Sequence, residues 1–231
     1  MNLLAIDTST DTLSIAVAHG GQVWQRSGAG GAQASLQLLP GIQALMGEAG
    51  LSFDALDAIV FGRGPGSFTG LRTACAVAQG LAFAARQGQG VPVLPVDTLL
   101  AVAEQARAEH GLTQLVAALD ARMDEVYSAP YAYRDGAWTA LAEMRVTPPE
   151  AVAVPAGFAV AGNASAAYGE RLAPGAPQVA VLPTAPALLR LAPALLAQGL
   201  AVPADQALPL YVRNKVAQTT AEREAIKAAK A

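Results

Sequence analysis

Leu3-Leu4-Ala5-Ile6-Asp7 is an apolar run that stops on a carboxylate, and 113 residues further on Val116-Ala117-Ala118-Leu119-Asp120 does the same. A short apolar run closed by a polar turn reads as a strand. Each aspartate is followed by a polar turn and a return strand, at 14–18 in the first half and 126–133 in the second. Each return strand leads through a hairpin turn, Gly20-Gly21 or Asp135-Gly136, into a third strand at 22–25 or 138–146. The first half then continues with a helix at 35–48, a strand at 59–61, a helix at 69–86 and a strand at 93–96. The second half follows the same order: helical 149–154, strand 158–161, helix 164–172, strand 179–182, and a closing helix at 186–198. A repeated order of this kind predicts a duplicated α/β fold with mixed sheets and flanking helices. The expected lobes are 1–97 and 98–207, parted at Asp97-Thr98 where a capping signal opens a helix, with 208–231 as a C-terminal tail or helix.

The pattern resembles the superfamily of sugar kinases, heat-shock chaperones and actin. That resemblance implies two ribonuclease-H-like lobes with nucleotide in the cleft between them. The first hairpin of that superfamily carries Asp-x-Gly-Thr, whose glycine lets backbone amides approach phosphate. This chain has Asp7-Thr8-Ser9-Thr10 there, and Asp120-Ala121-Arg122-Met123 at the second hairpin. A side chain in place of the glycine obstructs close approach. Asp7 and Asp120 therefore stand open between two readings, a phosphate and metal site or carboxylates bonded to their own turns. Gly162-Asn163 likewise reads either as an adenosine loop or as an ordinary turn.

Composition narrows the function classes. The 231 residues are 53% hydrophobic and 14% charged, which suits a folded chain rather than a disordered one. A net charge of −3 argues against a protein that grips nucleic acid alone. Five of the fifteen basic residues lie between Arg213 and the end. That tail reads as a solvated helix bearing Glu222, Glu224 and Lys227, or as a nucleic-acid contact. The single cysteine, Cys75, excludes an intrachain disulfide and reads as a small core residue. No apolar stretch approaches the ~20 residues of a membrane span, and the run before Asp7 is too short for a signal core. The expectation is a cytoplasmic protein with no membrane contact. His19 and His110 are far apart, and neither metal-ligand spacing nor Gly-x-Ser-x-Gly occurs.

Gly62-Arg63-Gly64-Pro65-Gly66-Ser67-Phe68-Thr69-Gly70-Leu71-Arg72 joins the 59–61 strand to the next helix. It is no Walker loop, because Gly-Lys-Ser/Thr is missing. Amides at the helix start can hold an anion, with Gly64, Gly66, Ser67 and Thr69 around it. The competing reading is a tight joint capped by Ser67 or Thr69, with the glycines letting two backbones meet. Arg72, in the first turn, calls for an acidic partner. The helix itself carries two rows of small residues, Gly70, Ala74, Ala78, Ala82 and Ala76, Gly80, Ala84, which allow close helix approach. The 35–48 helix presents Leu36, Leu39, Ile42, Leu45 and Met46, with Pro40 expected to kink it or delay its start. These surfaces fit internal packing or a two-helix contribution to an interface.

Four segments, in order, resemble the TsaB (YeaZ) family: Leu3-Leu4-Ala5-Ile6-Asp7-Thr8-Ser9-Thr10; Gly64-Pro65-Gly66-Ser67-Phe68-Thr69-Gly70-Leu71-Arg72; Leu119-Asp120-Ala121-Arg122-Met123-Asp124-Glu125-Val126-Tyr127; and Pro209-Leu210-Tyr211-Val212-Arg213-Asn214-Lys215-Val216-Ala217. One departure is Ala34, where the family often has histidine. The resemblance implies a non-catalytic subunit in the formation of threonylcarbamoyladenosine on tRNA. It implies a TsaD-like catalytic partner and a TsaE-like ATPase, with ATP and metal on those partners and none here. It implies tRNA contact only through the complex, and self-dimerisation when alone. The contact face implied is Ser35, Leu36, Leu39 and Ile42 with Gly70, Thr73, Ala74, Val77, Ala78 and Leu81. The alternative from the duplicated hairpins is a small nucleotide-binding phosphotransferase or ATPase.

Overall fold

The computed structural model describes residues 1–213. The first sheet has the order β3-β2-β1-β4-β5, with β1 at Leu3–Asp7, β2 at Thr12–His19, β3 at Gln22–Ala29, β4 at Ala58–Gly64 and β5 at Val93–Asp97. β1 runs antiparallel to β2 and parallel to β4. The second sheet has the order β11-β10-β6-β7-β8, with β9 also on β7. Its strands are β6 at Gln114–Asp120, β7 at Val126–Arg134, β8 at Ala137–Ala140, β9 at Arg145–Thr147, β10 at Ala159–Ala161 and β11 at Gln178–Val179. The two-lobe α/β fold with mixed sheets is therefore as the sequence predicts. Both hairpin turns have positive φ at both central residues, 56° and 81° at Gly20-Gly21 and 52° and 81° at Asp135-Gly136. This geometry matches the twist of paired strands.

The apolar run of β1 is buried on both faces because its side chains alternate. Leu4 and Ile6 face α1 (Ala34–Glu48) and α2 (Phe68–Ala84) in a cluster with Leu38, Ile42, Leu45, Ala74, Ala78 and Ala82. Leu3 and Ala5 face the other way, with Ala16, Val60, Leu94 and Val96, and their cover is α5 (Ala185–Ala197), through Leu188, Leu191 and Ala192. A helix from the second half of the chain thus closes the first sheet. α3 (Thr98–His110) packs Leu99, Val102, Ala103 and Ala106 on Leu115, Ala117 and Leu119 of the second sheet.

Some elements depart from expectation. The run at 138–146 is two strands, β8 and β9, which pair with opposite ends of β7. The 149–154 stretch gives only a 3-10 turn at Pro149–Ala151, because Pro148 and Pro155 bracket it. The 164–172 helix stops as α4 (Ala164–Tyr168), where Gly169 adopts φ 56°. β11 is two residues long beside Pro177, which has no amide to offer a ladder. Pro40 lies inside α1, which begins six residues earlier. Asp97 occupies the N-cap of α3 but makes no side-chain cap bond. Its carboxylate instead accepts from Arg63 Nε at 2.6 Å.

Glu104 is a polar exception in this interior, 2% exposed on α3. Its carboxylate accepts from Arg107 (2.9 and 2.8 Å), Trp138 Nε1 (3.0 Å) and Arg190 Nε (2.8 Å). Those donors come from α3, β8 and α5, so one carboxylate joins three separate segments of the second half of the chain. Among the described residues, no helix is long and apolar enough to cross a membrane.

Candidate functional site

The first hairpin turn is closed by its own chain. Asp7 is fully buried, and its Oδ1 accepts from the Ser9 amide (3.0 Å) and the Ser9 hydroxyl (2.7 Å). Its Oδ2 is buried with no hydrogen-bond partner. Gly62 presses on it so closely that a Cβ there would lie 2.0 Å from Oδ2. The glycine loop covers the rest of the turn. The Ser67 amide donates to Ser9 O (2.7 Å), and the Thr8 hydroxyl donates to Gly70 O (2.7 Å). A Cβ on Gly66 would fall 2.4 Å from Ser9 O, and one on Gly70 1.8 Å from Thr8 O. The Ser67 hydroxyl accepts from the Gly70 amide at 3.4 Å as the cap of α2. These glycines bring two backbones together at the place where a phosphate would need open amides.

Burial pushes the Asp7 carboxyl up to about 6, against the lowering hydrogen bonds from Ser9. The folded chain therefore holds a proton between about 3.8 and about 6 that the unfolded chain has lost. Stability is highest below that window and falls as pH rises through it. Asp7→Asn keeps the acceptor for Ser9 and removes the titration. Urea midpoints for this variant should stay level from pH 4.5 to 6, where the parent declines. A parent curve that rises there would contradict the sign.

The second turn is open. Asp120 Oδ1 accepts from the Arg122 amide (2.8 Å) and the Tyr168 hydroxyl (2.7 Å), and the Asp120 amide donates to Asn163 Oδ1 (2.9 Å). Gly162 allows this by close approach, since a Cβ there would lie 1.9 Å from Ala118 O. Burial, and then the bond to Asp120, push the Tyr168 phenol up to about 12. Arg122, Met123 and Asp124 are consecutive left-handed residues, with φ of 59°, 58° and 63°. Three non-glycine residues in that region persist only when their surroundings hold them.

Between the two turns lies a cleft of about 380 Å³, lined by Ser9, Asp11, Ser67, Thr69, Asp120, Arg122 and Asn163 among others. Arg122 reaches across it to Asp11 at 2.7 Å. Both side chains are largely exposed, so this pair adds little stability. Asp120 thus lines the cleft, whereas Asp7 lies sealed behind the first turn. Among the described residues, no three His, Cys, Asp or Glu side chains gather as a metal site.

The cleft is also lined by residues 210–213. The Leu210 amide donates to Arg63 O at 2.7 Å. The Tyr211 ring lies 5.3 Å from that of Phe68, and its hydroxyl accepts from Arg72 Nε at 3.0 Å. Arg72 therefore binds a phenol and stacks on Phe68 (3.8 Å) in place of the acidic partner its position suggested. Arg213 donates to Ala121 O (2.9 Å) and Arg122 O (3.3 Å) and pairs with the Glu125 carboxylate. The sequence places Arg213 at the start of a solvated or nucleic-acid-binding tail and gives Tyr211 no role; Arg213 is instead tied to the second turn. Asn214 onward, including the expected tail helix, lies outside the described residues.

The helical face divides in two. Ser35, Leu36 (77%) and Leu39 (44%) are exposed, and Thr73, Val77 and Leu81 partly so. Ile42, Gly70, Ala74 and Ala78 are corrected: Ile42 is buried on the inner side of α1, and Gly70, Ala74 and Ala78 on the side of α2 that faces the sheet, so they are not on the exposed face. The outward row of α2 is the second one, Ala76, Gly80 and Ala84, with Phe83 (72%) beside it.

Residues 31–169 match the family described as TsaD: tRNA N6-adenosine threonylcarbamoyltransferase. The tRNA threonylcarbamoyladenosine biosynthesis protein TsaB of Escherichia coli is 35% identical, over 94% of this chain and 96% of its own. The chain belongs to the TsaB family. The Haemophilus influenzae TsaB is 42% identical over 55% of the chain and 52% of its own length. The solved YeaZ from Pseudomonas aeruginosa is 44% identical, with a TM-score of 0.84, over 91% of this chain and 99% of that one. The family model described as TsaD thus matches a TsaB-family chain across 31–169.

Proposed function

We propose that this protein is a non-catalytic subunit in threonylcarbamoyladenosine formation on tRNA, and that it binds and supports a TsaD-like catalytic subunit. The observation that carries this reading is the docking of the glycine loop on the first turn. The backbone of Ser67 and Gly70 occupies the face that a phosphate would need, and Asp7 is shut away from the cleft. A chain built this way serves by what it binds. ATP and metal chemistry then belong to the partners, the TsaD-like subunit and a TsaE-like ATPase, and tRNA meets this subunit through the complex in the cytoplasm. The contact face is the exposed part of α1 and α2, centred on Leu36, Leu39, Val77 and Leu81. The same face serves a homodimer when the protein is alone.

Calorimetric titration with purified TsaD-like protein from the same organism tests the reading. The parent should bind, and Leu36→Glu with Leu39→Glu should weaken binding by at least about tenfold. Both side chains are exposed, so the variant keeps its fold. An active TsaD preparation that does not bind the parent defeats the proposal. Tight magnesium–ATP binding lost in Asp7→Asn would favour a nucleotide-dependent enzyme instead.

A further inference from the structure

We propose that residues 207–213 form a latch across the two lobes that carries contact at the outer start of α2 to the left-handed turn of the second lobe. Each end of this segment is fixed to a different lobe. At its start, Ala207 is buried on α2, and its carbonyl accepts from Cys75 Sγ (3.1 Å) and Gln79 Nε2 (2.8 Å). The Leu210 carbonyl fits over Gly64 only because that residue has no Cβ, which would lie 2.5 Å from it. Tyr211 then joins the Phe68–Arg72 stack, and Val212, partly buried, packs against the core of the second lobe. Arg213 ends the segment on two carbonyls of the 121–125 turn and on Glu125.

Two properties make this a latch rather than a plain connection. Its second anchor is the run of three left-handed residues, whose conformation depends on outside support. Arg213 supplies part of that support, so strain in the turn is released when Arg213 leaves. Its first anchor is accessible: Phe68 is 40% exposed and Tyr211 43%. A partner that rests on this aromatic pair or on Arg72 shifts Tyr211, and two residues later Arg213. The 121–125 turn is thereby coupled to the Phe68–Tyr211 pair, which stands on the opposite side of the same cleft.

Amide hydrogen exchange on the full chain reads the coupling. The amides of Ala121, Arg122 and Glu125 report the turn, since they donate within it to Glu125 O, Asp120 Oδ1 and Arg122 O. Tyr211→Ala leaves every one of those bonds in place. It should nonetheless speed exchange at these three amides about tenfold, with β1 amides unchanged. Phe68→Ala, at a half-exposed site that keeps the fold, should give the same pattern. Turn amides at parent rates in both variants would mean two independent anchors and overturn the proposal. A uniform rise that includes β1 would mean ordinary stabilising packing, and overturns it equally.

Discussion

Gly70→Ala should destabilise the protein by at least about 3 kcal/mol or prevent folding, while Gly80→Ala on the same helix should stabilise it by about 0.5–1 kcal/mol. The two substitutions have the same chemistry, each replacing a helical glycine of α2 by alanine. They differ in what the new methyl meets. At Gly70 it would sit 1.8 Å from the Thr8 carbonyl, a backbone atom that cannot rotate away. That carbonyl belongs to the turn between β1 and β2, and the Thr8 hydroxyl holds Gly70 O from the same side. Relief would require α2 to lift from the sheet, which opens the cluster around Ala74 and Ala78. At Gly80 nothing lies within 4 Å. Urea unfolding of the three proteins decides the matter, and equal midpoints for the two variants would remove the close contact from the account.

Glu104→Gln should cost about 2–3 kcal/mol at neutral pH, measured the same way. Removing one partner of a buried ion cluster strands the others, which costs about 3–5 kcal/mol for fully buried groups. The guanidinium side chains of Arg107 and Arg190 are 31% and 36% exposed, and solvent there reduces the loss. The pH profile separates this from generic damage. Burial pushes the Glu104 carboxyl up, but hydrogen bonds from Arg107, Trp138 and Arg190 outweigh it and hold the group below its ordinary 4.5. Its stabilising contribution is therefore complete above that value and lost as pH falls through the lower folded value. The parent should lose this increment in acid and the variant should have none to lose. A constant gap between the two curves down to pH 3 would refute the assignment. Asp7 acts with the opposite sign between about 3.8 and 6, so the two single variants divide the acid limb between them.

Much of the frame was readable from the chain. β1 and β6 announced themselves as apolar runs ended by aspartate, and both hairpins by turn residues that accept positive φ. The direction of α2 was not readable. Its two rows are both alanine and glycine, so hydrophobicity cannot say which faces the sheet, and only contact with Thr8 and Ser9 decides it. Glu104 was missed for a related reason: one acid in an alanine-rich helix reads as surface until Arg190 and Trp138 arrive from distant segments. The blocking role of the glycine loop was half visible, since the serine in the first turn suggested a blunted cradle. The covering of Asp7 by Gly62 needed the paired strands.

The placement of α5 sets a schedule for the protein's birth. As the chain leaves the ribosome, all five strands of the first sheet have emerged once Asp97 is out. The face formed by Leu3, Ala5, Ala16, Val60 and Leu94 then waits for a helix that has not been translated. At about 5–20 residues per second, the wait to Ala185 is roughly 5–20 s. Throughout it the nascent lobe exposes one apolar face of its sheet to solvent.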